Sequence, residues 1–243
     1  MDIKFISQGN FSSLLQNSQI DLAILPLGST EQHGDHLPLA TDTLIVEHIS
    51  KILSERARMI LLPSIFYGVS YEHEPLFNIS LDYNVLVDLI SNICNSLYKQ
   101  GIKRVFVING HHGNLGLLQY VGQNLFTKYG IESNFFYFIN YWQMIDQKFD
   151  HAGEIETSLM LAINPELVKM DVSRQGFDIT NEKDKDLYKM GLNMSINSPG
   201  GFVKFTKNGI WGNPQNATID KGQKMLVQII ENTLKLFADP RFV

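Results

Sequence analysis

Four short stretches of this chain carry the residue types from which metal sites and hydrolytic centres are made. The first is Leu22 to Thr43, LAILPLGSTEQHGDHLPLATDT, where Glu31, His33, His36 and Asp42 lie among glycines and prolines. Glu31 and His33 are two apart, so in extended backbone both side chains point the same way. Carboxylate with imidazole suits a divalent transition metal such as zinc, manganese or iron. The second is NGHHGN, Asn109 to Asn114, where two glycines let the backbone turn sharply beside His111 and His112. The third is HAGEIETS, His151 to Ser158, in which His151 and Glu154 are three apart and share a face once a helix has begun. Glu154 and Glu156 cannot share that face. A helix dipole accounts for acids in a first turn, but it does not account for His151. The fourth, SYEH at Ser70–His73, reads either as a surface loop or as a wall of a substrate pocket. All of the seven histidines but His48 fall in these loops. From spacing, either His111 or His112 could join Glu31, His33 and Asp42.

The elements around these loops explain how they could meet. Leu22–Leu25 is an apolar run of the kind that forms a strand buried on both faces, and Pro26 and Gly28 end it. Residues 43–58, 83–99, 115–129, 155–163 and about 220–237 have helical periodicity, with a shorter amphipathic segment at 10–16. Met59–Leu62, Arg104–Ile108 and Asn134–Ile139 read as further strands. The alternation predicts an α/β fold with a mostly parallel sheet and helices on both faces. In such sheets, loops at the carboxyl ends of strands build the active site. Residues 171–197 are polar and carry no assignable pattern. Together with Tyr71–Pro75 and Gly200–Trp211 they are candidates for shaping a substrate pocket. Trp142 and Trp211 fit core packing better than a pocket wall.

The chain has 243 residues, 44% hydrophobic and 19% charged, as expected for one globular domain spanning 1–243. A net charge of -5 weighs against nucleic acid as the main partner. The single cysteine, Cys94, lies in an apolar helical stretch and fits the core. Neither a signal peptide nor a membrane-spanning run is legible, so the expected location is cytoplasmic.

LPLGSTEQHGDHLPLATDT, NGHHGN, HAGEIETS and the late GIWGNPQNAT, in this order from Leu25 to Thr218, resemble the creatininase (creatinine amidohydrolase) family. The resemblance implies a three-layer α/β/α sandwich, two divalent metal ions (zinc, manganese or iron) and a homo-oligomer, commonly a hexamer. It implies Glu31, His33 and Asp42 as ligands, with Asp42 bridging, and it selects His111 over His112. Creatininase itself has a metal-binding glutamate at the position of Gly113. HAGE-type members offer a carboxylate at the position of Glu154 instead, which would then be the fifth ligand. Those members include a formamide deformylase of flavin and deazaflavin synthesis and the mycofactocin peptidase. The expected activity is hydrolysis of a non-creatinine amide in a small molecule or short peptide by metal-activated water. His151 would be the general acid and Glu156 its orienting partner, while Glu72, His73 and His112 would contact substrate. A metal-binding but inactive member is the remaining alternative.

Overall fold

The computed structural model describes residues 1–17, 20–147, 150–178 and 198–239. Most of the polar stretch 171–197, namely 179–197, lies outside the described residues. Four parallel strands, β1 (Leu22–Leu27), β2 (Ile60–Leu61), β3 (Arg104–Asn109) and β4 (Phe136–Asn140), lie in the order β2-β1-β3-β4. The helices are α1 (Gln8–Gln16), α2 (Thr41–Arg56), α3 (Tyr83–Lys99), α4 (Leu115–Tyr129), α5 (Glu154–Ile163), α6 (Gly201–Thr206) and α7 (Ile219–Phe237).

Strand alternation divides the core between two faces. Ile24, Phe106, Ile108 and Ile139 point toward α2, α5 and α7, packing on Ile45, Ile49, Leu159, Met160 and Ile229. Ala23, Leu25, Leu27, Val105, Val107 and Phe136 point the other way, onto Leu86, Ile90 and Cys94 of α3 and Leu118 and Val121 of α4. The result is the expected α/β/α sandwich. Cys94 is buried in it and free, and Trp142 also packs in the core. Trp211 joins Phe177 and Phe202 in a small separate cluster. Among the described residues no helix is long and apolar enough to cross a membrane.

Topology sets where the site falls. From β1 the chain crosses to β2 on one side, and from β3 it crosses to β4 on the other. Adjacent β1 and β3 therefore flank the point at which strand order reverses, and the loops leaving their carboxyl ends diverge to open a crevice. Asp42, expected in the loop after β1, instead belongs to the first turn of α2. There the helix dipole favours a carboxylate and the helix fixes its direction.

Candidate metal centre

The loop after β1 is held by its backbone: Glu31 N–H donates to Leu39 O at 2.9 Å and Gln32 N–H to Phe77 O at 2.7 Å. Gly110, which follows β3, lets α2 approach, because a Cβ there would lie only 2.4 Å from the carbonyl oxygen of Asp42. Asp42 and His111 are brought together as a result. His111 Nδ1 lies 3.1 Å from Asp42 Oδ2 and 3.2 Å from Glu31 Oε1. On the other side of the same carboxylate, His33 Nε2 lies 3.0 Å from Asp42 Oδ1. All four side chains are buried.

Both imidazoles are oriented from behind. His111 donates its outer Nε2–H to Val69 O at 2.8 Å, and His33 donates Nδ1–H to Glu31 O at 3.1 Å. Their inner nitrogens are thereby left to face carboxylate oxygens, an arrangement that requires a second proton on each ring or a cation between them. Glu31 Oε1 and Asp42 Oδ2 are buried without a hydrogen bond, which is the condition of oxygens that lack a positive partner.

The electrostatics agree. Burial opposes charge on His33, yet Asp42, Glu156 and Glu31 push its pKa up to about 10. Burial likewise opposes charge on His111, and Glu31 and Asp42 hold its pKa well above the usual histidine value. Burial would raise the Glu31 carboxyl, but His111 and His73 hold it well below the usual carboxylate range. Positive charge is demanded at two places, one on each side of Asp42. The donor set fits divalent metals there.

The loop ahead of α5 brings His151 and Glu156 to the same cluster. His151 N–H donates to Trp211 O at 3.0 Å, and Trp211 N–H returns a bond to His151 O at 2.8 Å. The ring donates Nε2–H to Gln32 O at 3.2 Å, leaving Nδ1 facing inward, 4.0 Å from Glu31 Oε1. Burial and the neighbouring imidazoles of His33 and His73 hold His151 well below the usual histidine pKa, so the ring is neutral. Glu156 Oε2 accepts from Ala152 N–H at 2.6 Å and lies 3.6 Å from His33 Nε2. Burial, with Asp42 and Asp150 nearby, raises its pKa to about 8. Three overlapping groups have the proximity of metal ligands: Glu31, Asp42 and His111; His33, His151 and Glu156; and Glu31, His73 and His151.

Glu154, expected as a fifth ligand, lies outside this cluster. The helix turns by about 100° per residue, so Glu156 and Glu154 face nearly opposite ways, and it is Glu156 that points into the cluster. Glu154 points outward, its Oε1 2.7 Å from Lys221 Nζ on α7 and its side chain 38% exposed. His73, expected to contact substrate, lies inside the cluster with Nε2 3.0 Å from Glu31 Oε1. Glu72 is also buried, behind His111. His112 is exposed, its ring 6.0 Å from that of Trp142. His36 stands outside the cluster, its Nε2 3.0 Å from Thr157 Oγ1.

Two contributors escaped the sequence reading. Gln32 donates Nε2–H to His73 Nδ1 at 2.8 Å and to Gly209 O at 2.9 Å, joining three loops. Its place between Glu31 and His33 was the available signal. Phe202 of α6 lies 4.9 Å from the His73 ring and 5.0 Å from that of His151 and closes one wall. A phenylalanine in a glycine-rich stretch carries no such signal.

Comparison with known proteins identifies the family. A family model described as creatininase, creatinine amidohydrolase, matches residues 10–237. The mycofactocin precursor peptide peptidase of Mycobacterium ulcerans is 29% identical over 227 residues, 88% of this chain and 84% of the relative. The creatinine amidohydrolase of Pseudomonas putida is 28% identical over 174 residues, 61% of this chain and 66% of its own. A solved mutant creatininase of the Zn-Zn type has a TM-score of 0.82 at 21% identity, covering 97% of this chain and 96% of that one. The chain belongs to the creatininase family of amide-bond hydrolases.

Proposed function

We propose that the chain is a dinuclear-metal amidohydrolase that cleaves the C–N bond of an amide other than creatinine. The observation that carries this reading is Asp42, whose two oxygens face two separately oriented histidines. One cation would be held by Glu31, Asp42 and His111. The second would be held by His33, Asp42 and Glu156, with His151 alongside. Zinc, manganese or iron bound there supplies a water whose pKa is lowered toward neutrality.

The protein's own groups manage the proton. As the water oxygen bonds to the carbonyl carbon, the proton it releases passes to the neutral His151 at Nδ1. That nitrogen returns it to the departing nitrogen as the C–N bond breaks. His151 is thus a base first and an acid second. The backbone pair with Trp211 and the bond to Gln32 O hold the ring in place, while Phe202 keeps bulk water from one side. Glu156, tied to Ala152 N–H, keeps a carboxyl beside His33.

The similarity to the mycofactocin precursor peptide peptidase, 29% identical over 88% of this chain, supports a peptide amide as substrate. A cytoplasmic location and a homo-oligomeric assembly belong to the same proposal and rest on the family resemblance. The test is metal content measured on the sample assayed against short peptides, formamides and creatinine. Asp42→Ala is expected to lose bound metal and amide hydrolysis together. Full metal occupancy and turnover in Asp42→Ala would overturn the bridging role.

A further inference from the structure

Around Gly113 the structure leaves no room for a side chain. A Cβ at Gly113 would lie 2.1 Å from Val69 O, 2.4 Å from His111 Nε2 and 2.7 Å from Glu72 Oε1. The space is filled by a turn from another part of the chain, the 3-10 helix Tyr71–His73. Glu72 is only 6% exposed, and its Oε1 lies 3.6 Å from His111 Nε2. That nitrogen already donates to Val69 O at 2.8 Å. At 3.6 Å the carboxylate acts on it electrostatically and not through a second full hydrogen bond. The next residue in the turn, His73, lies 3.0 Å from Glu31 Oε1. One short turn therefore reaches two of the three side chains that surround the first cation position.

We propose that Glu72 is a positioning residue for His111, its carboxylate favouring electrostatically the outer N–H that Val69 O accepts, so that Nδ1 points at Glu31 and Asp42, and that Gly113 is the gap that admits it. The inference rests on the reading of His111 as a metal ligand. A carboxylate behind a ligating imidazole fixes the ring and makes the inner nitrogen a better donor, and its loss typically weakens metal binding 10–100-fold. Glu72 thus serves the metal from behind, a different task from the substrate contact expected of it. A carboxylate from the Tyr71–His73 turn thus stands behind His111, on the side away from Glu31 and Asp42.

The experiment measures zinc affinity by competition with a chromogenic chelator at fixed pH, alongside thermal melting of each metal-free protein. Glu72→Gln should weaken zinc binding about 10–100-fold with unchanged metal-free melting, and Glu72→Asp should recover part of the loss. Gly113→Ala should weaken binding as well, because its Cβ must displace Val69 O, His111 and Glu72. Zinc affinity within two-fold of wild type in Glu72→Gln would overturn the proposal. So would a parallel fall in affinity and metal-free melting that Glu72→Asp does not reverse. His111→Ala separates the two levels. If it abolishes zinc binding while Glu72→Gln does not alter it, only the role of Glu72 fails. If wild type binds no zinc, manganese or iron, the metal-centre reading fails as well.

Discussion

Two glutamates two positions apart on α5 offer a sharp test, because the structure gives them opposite fates. Glu154→Gln removes one partner of the Lys221 ion pair, whose side chains are 38% and 48% exposed. Exposed pairs contribute about 0–1 kcal/mol. For a domain of this size, 1 kcal/mol corresponds to a melting shift of about 2–4 °C. Glu154→Gln should therefore melt within about 4 °C of wild type and keep its metal and its kcat. Glu156→Gln has nearly the same shape as the parent, but it places an amide where a buried carboxyl receives Ala152 N–H and faces His33. An amide nitrogen turned to Ala152 N–H sets a donor against a donor, and the carboxyl is no longer available to the site. Loss of a side chain that supports a metal site typically costs about 10–100-fold in metal affinity or activity, and a fall of at least that size is expected in kcat. The assay pairs steady-state kinetics on the best amide substrate with metal content and thermal melting of each variant. A Glu154→Gln enzyme that loses metal and turnover while Glu156→Gln keeps both would refute the assignment and restore Glu154 as the ligand.

Two further outcomes follow from buried groups near the cluster. Burial, aided by the nearby His33, lowers the His36 pKa from 6.5 to about 4. Between those values the unfolded chain binds more protons than the folded one, so His36 lowers stability as pH falls from about 6.5 toward 4. In the metal-free protein, His36→Gln should flatten the dependence of melting temperature on pH across that window, and an unchanged slope would contradict the buried, neutral ring. Tyr141 is fully buried, with its hydroxyl 3.5 Å from Glu156 Oε1. Burial and the nearby Glu156 carboxyl raise its pKa well above the usual value, so it stays protonated as a donor. Tyr141→Phe should cost about 1 kcal/mol in chemical denaturation, with a few-fold loss of kcat. An enzyme unchanged in both would place Tyr141 in the core alone.

The sheet was legible because alternating buried faces and helical periodicity repeat over many residues. Tyr83–Lys99 and Leu115–Tyr129 match their expected helices end to end, whereas β2 narrows from Met59–Leu62 to Ile60–Leu61. The clustering of Glu31, His33, Asp42 and His111 was also legible, since consecutive loops on one sheet edge must lie close together. What could not be read was rotation. Whether Glu154 or Glu156 faces inward depends on where α5 begins, and the buried Asp150 fixes that by accepting Ile155 N–H at 2.8 Å. The placement of Glu72 and His73 depends on a single 3-10 turn, too short to leave a periodic pattern.

The reversal of strand order between β1 and β3 has a consequence for folding as well as for catalysis. The 31–42 segment, His111 and Glu156 are widely separated along the chain and meet only when the parallel pairing of these strands is complete. Closing such long-range loops is slow, and no partial structure holds the whole ligand set. A cation that needs all of these side chains binds the native chain far better than the unfolded one. It therefore raises the unfolding free energy by RT ln(1 + [L]/Kd), about 2.7 kcal/mol at a hundred times Kd. The metal supply would then set how long the folded enzyme persists, apart from how fast it turns over.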